Sequence, residues 1–147
     1  MKLVDVYEDI EVSQRLLFEL LREREPHQSI SHKEMPSWDA HCSFIAGRPY
    51  LAWYLVQVDG RACGSVYLTK QREIGIGVLK SHHRQGLARK SITELMGRHP
   101  GRFIANINPA NEASIVLFKS LGFGGPIQIT LERQIKAGQP LTLEDVR

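Results

Sequence analysis

The sequence predicts an α/β protein built around a mostly antiparallel sheet. Two observations fix the class and a third sets its size. Residues 50–58, 62–69 and 72–79 are strand-like runs separated by short turns, the first of them at Asp59-Gly60, a strong two-residue hairpin signal. Residues 12–24, 86–98 and 111–121 carry apolar residues at helical spacing. A chain of 147 residues, 42% of them hydrophobic, suits one domain large enough to bury a real core.

Each element has its own justification. Residues 3–7 form a short apolar strand. Val12, Leu16, Leu17, Leu20 and Leu21 mark one face of a first helix, which Pro26 stops. Residues 27–35 are polar and without period, as in a loop. Pro36 opens a second, shorter helix through residue 46, and Gly47-Arg48-Pro49 breaks it. The three strand runs then form an antiparallel meander, the last turn being Lys70-Gln71. The third helix turns Ala88, Ile92, Leu95 and Met96 inward. Residues 102–107 read as a fifth strand, 111–121 as a fourth helix and 127–134 as a sixth strand. Residues 136–147 have no period and are expected to be a loose tail on a single domain spanning 1–147.

Composition narrows the function. The formal net charge of +3 suits an anionic ligand, but there is no dense basic stripe of the kind nucleic-acid binders carry. Cys42 and Cys63 read as buried thiols in a reducing compartment. His82 and His83 lack a third ligand at metal spacing, so no metal is expected. No signal-like or membrane-length apolar run appears, which makes cytoplasmic the expected location. The state expected is monomer or homodimer.

The most informative stretch is the junction from Glu73 to Arg89, where a strand run enters a glycine turn and then a helix. Unpaired N–H groups of a first helical turn, with the helix dipole behind them, attract phosphate. Gly86 removes the side chain where a phosphate approaches, Ala88 keeps the next turn slim, and Arg84, Arg89 and Lys90 add positive charge. In the strand itself, Ile74, Ile76 and Val78 alternate with Glu73, Gly75 and Gly77, leaving one face nearly bare. Glycine within a strand often marks close approach of a ligand or another backbone. A ligand laid across Gly75 and Gly77 then has Glu73 farther up the same face, a carboxylate able to accept a proton directly or through water.

His83-Arg84-Gln85-Gly86-Leu87-Ala88, together with the run from Asn111 to Phe123, resembles the two signatures of the GCN5-related N-acetyltransferase family. The first reads Arg/Gln-x-x-Gly-x-Gly/Ala and the second Asn-x-x-(Ala/Ser)-x-x-Leu-Tyr-x-x-x-Gly-Phe. His83 replaces the usual Arg or Gln, and Phe118 replaces the usual Tyr. The resemblance implies a mixed sheet of six or so strands with about four helices, splayed between its fourth and fifth strands where acetyl-CoA binds as co-substrate. It implies cofactor contacts from Ile76, Gly77 and Val78 on the strand and from His83, Arg84, Gln85, Gly86, Leu87, Ala88 and Arg89 in the turn. Asn111, Ser114 and Phe118 complete that set. It also implies an oxyanion-stabilising backbone N–H at Val78 or a near neighbour, beside Glu73 as the candidate base or substrate anchor.

Some family members carry a glutamate in this strand about one residue away. Asn106 stands where one protein-acetylating branch carries a glutamate base, which counts against that branch's mechanism. Asn111 also suits a helix N-cap, a role that Asn108-Pro109 can fill instead. Phe118 cannot donate a proton, but a thiol of pKa about 8.5 leaves as thiolate unaided. Ser114, one turn earlier, is a possible stand-in or a simple helix-start residue.

The acceptor side is drawn from Trp38, His41, Trp53, Tyr54 and Tyr67, with His41, Trp53, Tyr67 and Glu73 the chosen contacts. About half of such aromatics are simply core. His41 resembles a helix-borne His of the branch acting on amino-sugar nucleotides and ribosomal-protein termini; a structural histidine bonding backbone is the competing reading. The function expected is acetyl transfer to a small primary amine, such as an amino sugar or its nucleotide. The alternatives are a protein N-terminal acetyltransferase and a non-catalytic acyl-CoA-binding module, with a nucleic-acid binder a distant third.

Overall fold

The computed structural model describes residues 1–25, 34–138, 142 and 144. The Pro26 helix stop, most of the loop expected at 27–35 and most of the 136–147 tail lie outside the described residues. Four strands form one antiparallel sheet in the order β1 (Lys2–Asp5), β2 (Ala52–Val58), β3 (Arg61–Leu68), β4 (Ile74–Val78). Four helices flank it: α1 (Ile10–Glu23), α2 (Trp38–Ala46), α3 (Leu87–Arg98) and α4 (Glu112–Ser120).

The turn at Asp59-Gly60 forms as its residue types predict, both φ values being positive at +51° and +77°. Beyond it the β2–β3 register skips Cys63: Val56 faces Gly64 while Gln57 faces Ala62. That bulge turns Cys63 into the core, where burial raises its thiol above the ordinary range. Cys42 is only half-buried, contrary to expectation, and both thiols are free.

Each sheet face buries its own apolar cluster. One joins Val56, Val66, Leu68 and Ile74 to Leu87, Ile92 and Leu95 of α3 and Phe118 of α4. The other joins Val6, Trp53 and Leu55 to Leu16 and Leu17 of α1 and Ile45 of α2. Burial of such side chains, at about 25 cal/mol per Å² of apolar surface, is what holds the helices to the sheet.

The fifth and sixth strands expected from sequence are not formed. Residues 102–107 touch the sheet at one parallel bridge, Glu73 to Ile104, with Ile74 N–H donating to Ile104 O at 2.9 Å and Ile104 N–H to Arg72 O at 3.0 Å. Beyond it the segment departs from β4, and Phe103, Ala105 and Ile107 pack on the α3–α4 side instead. Residues 127–134 alternate like a strand, yet Ile127, Ile129 and Leu131 are 72%, 75% and 89% exposed. Period-two alternation supplies a strand pattern but no partner, and with 102–107 unpaired there is no regular edge for this segment to extend.

The bare glycine face of β4 is covered by protein at Gly75. A methyl group on Gly75 would run into the Tyr67 ring, and one on Gly77 would lie 3.6 Å from Leu20 of α1. Gly75 is therefore glycine because an aromatic ring from β3 lies flat over it. Overpacking of this kind costs about 1–3 kcal/mol. Gly75→Ala is predicted to lower stability by that amount in the wild-type chain and by much less in a Tyr67→Ala background. Denaturant unfolding of the four proteins checks it, and equal losses in both backgrounds would contradict the contact.

Candidate active site

The departure of residues 102–107 from β4 opens a cleft of about 690 Å³. Ile74–Val78 form one wall, and Asn106, Ile107 and Asn108 face them. Because Ile74 N–H points toward residues 102–107, strand alternation aims Ile76 and Val78 N–H the same way, roughly 7 Å apart. No strand stands opposite them among the described residues. Gly75 and Gly77 point their N–H groups the other way, toward β3. The β4 edge thus offers a short row of backbone hydrogen-bonding groups to whatever enters.

At the far end of β4 the chain passes through a single 3₁₀ turn, Lys80–His82, into the glycine turn. Arg84 at φ +64° and Gly86 at φ +72° both adopt the left-handed conformation, and Gly86 is the N-cap of α3. The other helices start under a side-chain cap: Asp9 accepts from Val12 N–H, Ser37 from Ala40 N–H and Asn111 from Ser114 N–H. α3 has none, so the N–H groups of its first turn, at residues 87–89, lack a capping side chain. Leu87, Ala88 and Arg89 line the cleft. Four cations (Arg24, Lys80, Arg84 and Arg89) and two carboxylates (Glu23 and Glu73) line it as well, leaving it net positive.

Several side chains fix this geometry. His83 Nε2–H donates to Val78 O at 2.8 Å, which caps one carbonyl of the open edge and leaves the neighbouring N–H toward the cleft. His83 thus holds the turn against β4 where the family uses Arg or Gln. Lys80 N–H donates to Glu23 at 2.7 Å, and its ammonium meets Glu25 at 2.9 Å, tying the end of α1 to the turn. That carboxylate raises the Lys80 pKa. Arg89 bonds the Ser120 hydroxyl, joining the starts and ends of α3 and α4.

Glu73 sits where the cleft closes. Its N–H donates to Thr69 Oγ1 at 2.9 Å, and its carbonyl accepts from Thr69 N–H at 2.9 Å. Arg72, its chain neighbour, donates to the carbonyls of His99 and Arg102, both at 2.6 Å. No cation pairs with the Glu73 carboxylate among the described residues, and Glu73 lines the cleft. Phe118 also lines it, buried and edge-on to Phe123 at 5.0 Å, with Ser114 one turn before it. Asn111, not Asn108, is the α4 cap, and it lines the cleft too.

The acceptor-side expectations divide. Trp53 and Tyr67 line the cleft. His41 lines it as well, but it is buried with Nε2–H donating to Gln14 O at 2.8 Å, so it fastens α2 to α1. Tyr54 faces the opposite side of the sheet, bonding His99 at 2.7 Å, and Trp38 packs on Phe18 and His41 outside the cleft. Of the cofactor residues expected, Gln85 alone does not line the cleft; it is exposed at the tip of the turn between two left-handed residues. Leu17, Leu20, Leu21, Arg24, Phe44 and Tyr50 line the cleft without having been singled out in the sequence. Phe44 and Tyr50 flank the break at Gly47, and that aromatic bracket is the signal that could have found them. Among the described residues, no three His, Cys, Asp or Glu side chains could hold a metal ion.

A sheet opened beside its fourth strand, with an uncapped helix start at the mouth, defines a class of acyl-CoA-dependent transferases. The sequence profile described as the acetyltransferase (GNAT) family matches residues 14–123. The chain belongs to this family of acetyl-CoA-dependent N-acetyltransferases. No curated protein sequence matches it. Among solved structures, it is similar to yncA from Salmonella typhimurium, with its cofactor acetyl-CoA, at 21% identity and TM-score 0.62 over 83% of this chain and 77% of that one. It is similar to a phosphinothricin acetyltransferase from Sinorhizobium meliloti in complex with acetyl-CoA at 23% identity and TM-score 0.62, covering 82% and 73%. It is also similar to a ribosomal-protein-alanine N-acetyltransferase from Brucella melitensis at 17% identity and TM-score 0.65, covering 83% of each. At these identities the likeness is one of fold.

The space around Gly86 is empty, so a substitution there acts through backbone conformation rather than by collision. A side chain in the left-handed region costs about 1–2 kcal/mol. Gly86→Val is predicted to lower stability by about that much and to raise the dissociation constant for CoA by about tenfold or more. Calorimetric titration of the folded variant checks it. Unchanged CoA affinity would remove the turn from the binding site.

Proposed function

We propose that this chain transfers the acetyl group of acetyl-CoA directly to the primary amine of a small molecule held in the same cleft. The observation that carries the reading is the unpaired edge of β4, whose Ile76 and Val78 N–H groups lead from the uncapped start of α3 toward Glu73. Backbone amides at 84–89 with Arg84 and Arg89 suit a pyrophosphate, and the strand edge suits the amides of the pantetheine arm. When bound, the co-substrate supplies an activated acetyl thioester; the net reaction exchanges its C–S bond for a C–N bond.

The chain's own groups then have defined tasks. Ile76 N–H, the nearer of the two to Glu73, donates to the oxygen that becomes anionic, and Val78 N–H is left to meet the pantetheine arm. Glu73 accepts the amine proton, directly or through water. Asn111 and Ser114 border the arm from the α4 side. Phe118 contributes packing and no proton, so the thiol departs as its anion. Amino sugars and their nucleotides belong to the small amines; a protein N-terminus is the alternative acceptor. His41, which suggested both, has its Nε2 held by Gln14. Two free cysteines fit a cytoplasmic enzyme.

A second reading, an acyl-CoA-binding module without turnover, is favoured by the missing hydroxyl at position 118. Thiol release from acetyl-CoA over a panel of amines separates the two readings. Removing a general base typically costs about a hundredfold or more, so Glu73→Gln is predicted to lower turnover by that order while CoA affinity holds. Phe118→Tyr is predicted to change turnover by only a few-fold. CoA binding with no release for any amine would favour the module.

A further inference from the structure

The acceptor half of the cleft is an aromatic wall. Tyr50 and Tyr67 stack face to face at 4.0 Å and 3°, with Tyr67 seated on bare Gly75. Trp53 meets Tyr50 edge-on at 4.6 Å, and Phe44 stands edge-on to Tyr50 and Trp53 at 5.9 and 6.1 Å. Phe44 is 51% exposed although it lines the cleft. Trp53 Nε1–H donates to Ser65 Oγ at 2.9 Å, which satisfies the wall's indole internally. Burial, reinforced by the neighbouring Tyr67, pushes the Tyr50 phenol well above its ordinary range and keeps it neutral.

We infer that the acceptor is an arylalkylamine: a flat apolar ring docks against Phe44 and Tyr50, with Tyr67 sandwiched behind Tyr50, and its amino group reaches Glu73. The inference rests on the acetyl transfer proposed above. Glu23, whose carboxylate accepts the Lys80 N–H at the turn, and Glu73 are the two carboxylates of the cleft, and Glu73 is on the strand run that Tyr67 rests on. Lys80, Arg84 and Arg89 belong to the turn at the cofactor end, so among the described residues a sugar nucleotide would find Arg24 alone for its phosphates. An aromatic guest gains edge-to-face contacts of the kind the wall already makes within itself. In the reaction the ammonium gives one proton to Glu73, which releases it to water; the neutral nitrogen bonds the acetyl carbon, its next proton passes to Glu73, the C–S bond breaks, and CoA leaves as its thiolate.

The test compares kcat/KM for 2-phenylethylamine, glucosamine, spermidine and an alanine-terminated peptide at saturating acetyl-CoA. The expected result is 2-phenylethylamine ahead of each of the others by about tenfold or more. Phe44→Ala, at a half-exposed position that leaves the core intact, is expected to raise KM for 2-phenylethylamine about tenfold and leave KM for acetyl-CoA unchanged. Turnover that favours glucosamine, spermidine or the peptide, or a Phe44→Ala variant with unchanged KM, overturns the aromatic acceptor and leaves acetyl transfer standing. Release with no amine at all, while CoA binds, overturns both.

Discussion

The structure depends on one backbone constraint: β4 is paired along one edge and, after a single bridge at Glu73 and Ile104, left open along the other. Peptide groups without a partner are expensive wherever water is excluded. An edge that stays half-buried and unpaired is therefore a place where a ligand's amides can complete the sheet. The glycine turn that follows continues the row of donors, because Arg84 and Gly86 take left-handed conformations and α3 begins with no side chain over its first turn. Strand edge, turn and helix start together form one continuous polar track along the cleft.

The rest of the chain keeps that track open. α1 and α2 pack on one sheet face, α3 and α4 on the other. Glu23 and Glu25 fasten the end of α1 to Lys80, and His83 fastens the turn to Val78 O. Arg72 reaches across to the carbonyls of His99 and Arg102, which holds residues 102–107 near β4 at the closed end. Glu73 lies beside that lock and lines the cleft. The aromatic wall joins the site from the other side, since Tyr67 rests on the strand whose edge borders the cleft.

Much of this was legible in the sequence because it is local. Asp59-Gly60 dictates its hairpin, the apolar stripes dictate the helices, and Gly86 before Leu87-Ala88 marks the helix start at the mouth. What was not legible depends on neighbours that a sequence does not name. Gly75 and Gly77 read as a face for a ligand, yet Tyr67 from β3 covers that face at Gly75, and the open feature is the strand's edge. Residues 127–134 have the alternation of a strand without an edge to join. His41 lines the cleft, and its Nε2 bonds Gln14 O at 2.8 Å, a partner 27 residues away that the sequence does not name. Phe44 and Tyr50 passed as ordinary aromatics, because only the tertiary fold stacks Tyr50 on Tyr67.

Backbone amide hydrogen exchange at the β4 residues, followed by NMR with and without acetyl-CoA, tests the open edge most directly. Gly75 and Gly77, paired with β3, are predicted to exchange slowly in both states. Ile76 and Val78 are predicted to exchange fast in the free protein and to become protected when acetyl-CoA binds. Slow exchange at Ile76 and Val78 without ligand, or no gain in protection on binding, would contradict an open strand edge that receives the co-substrate.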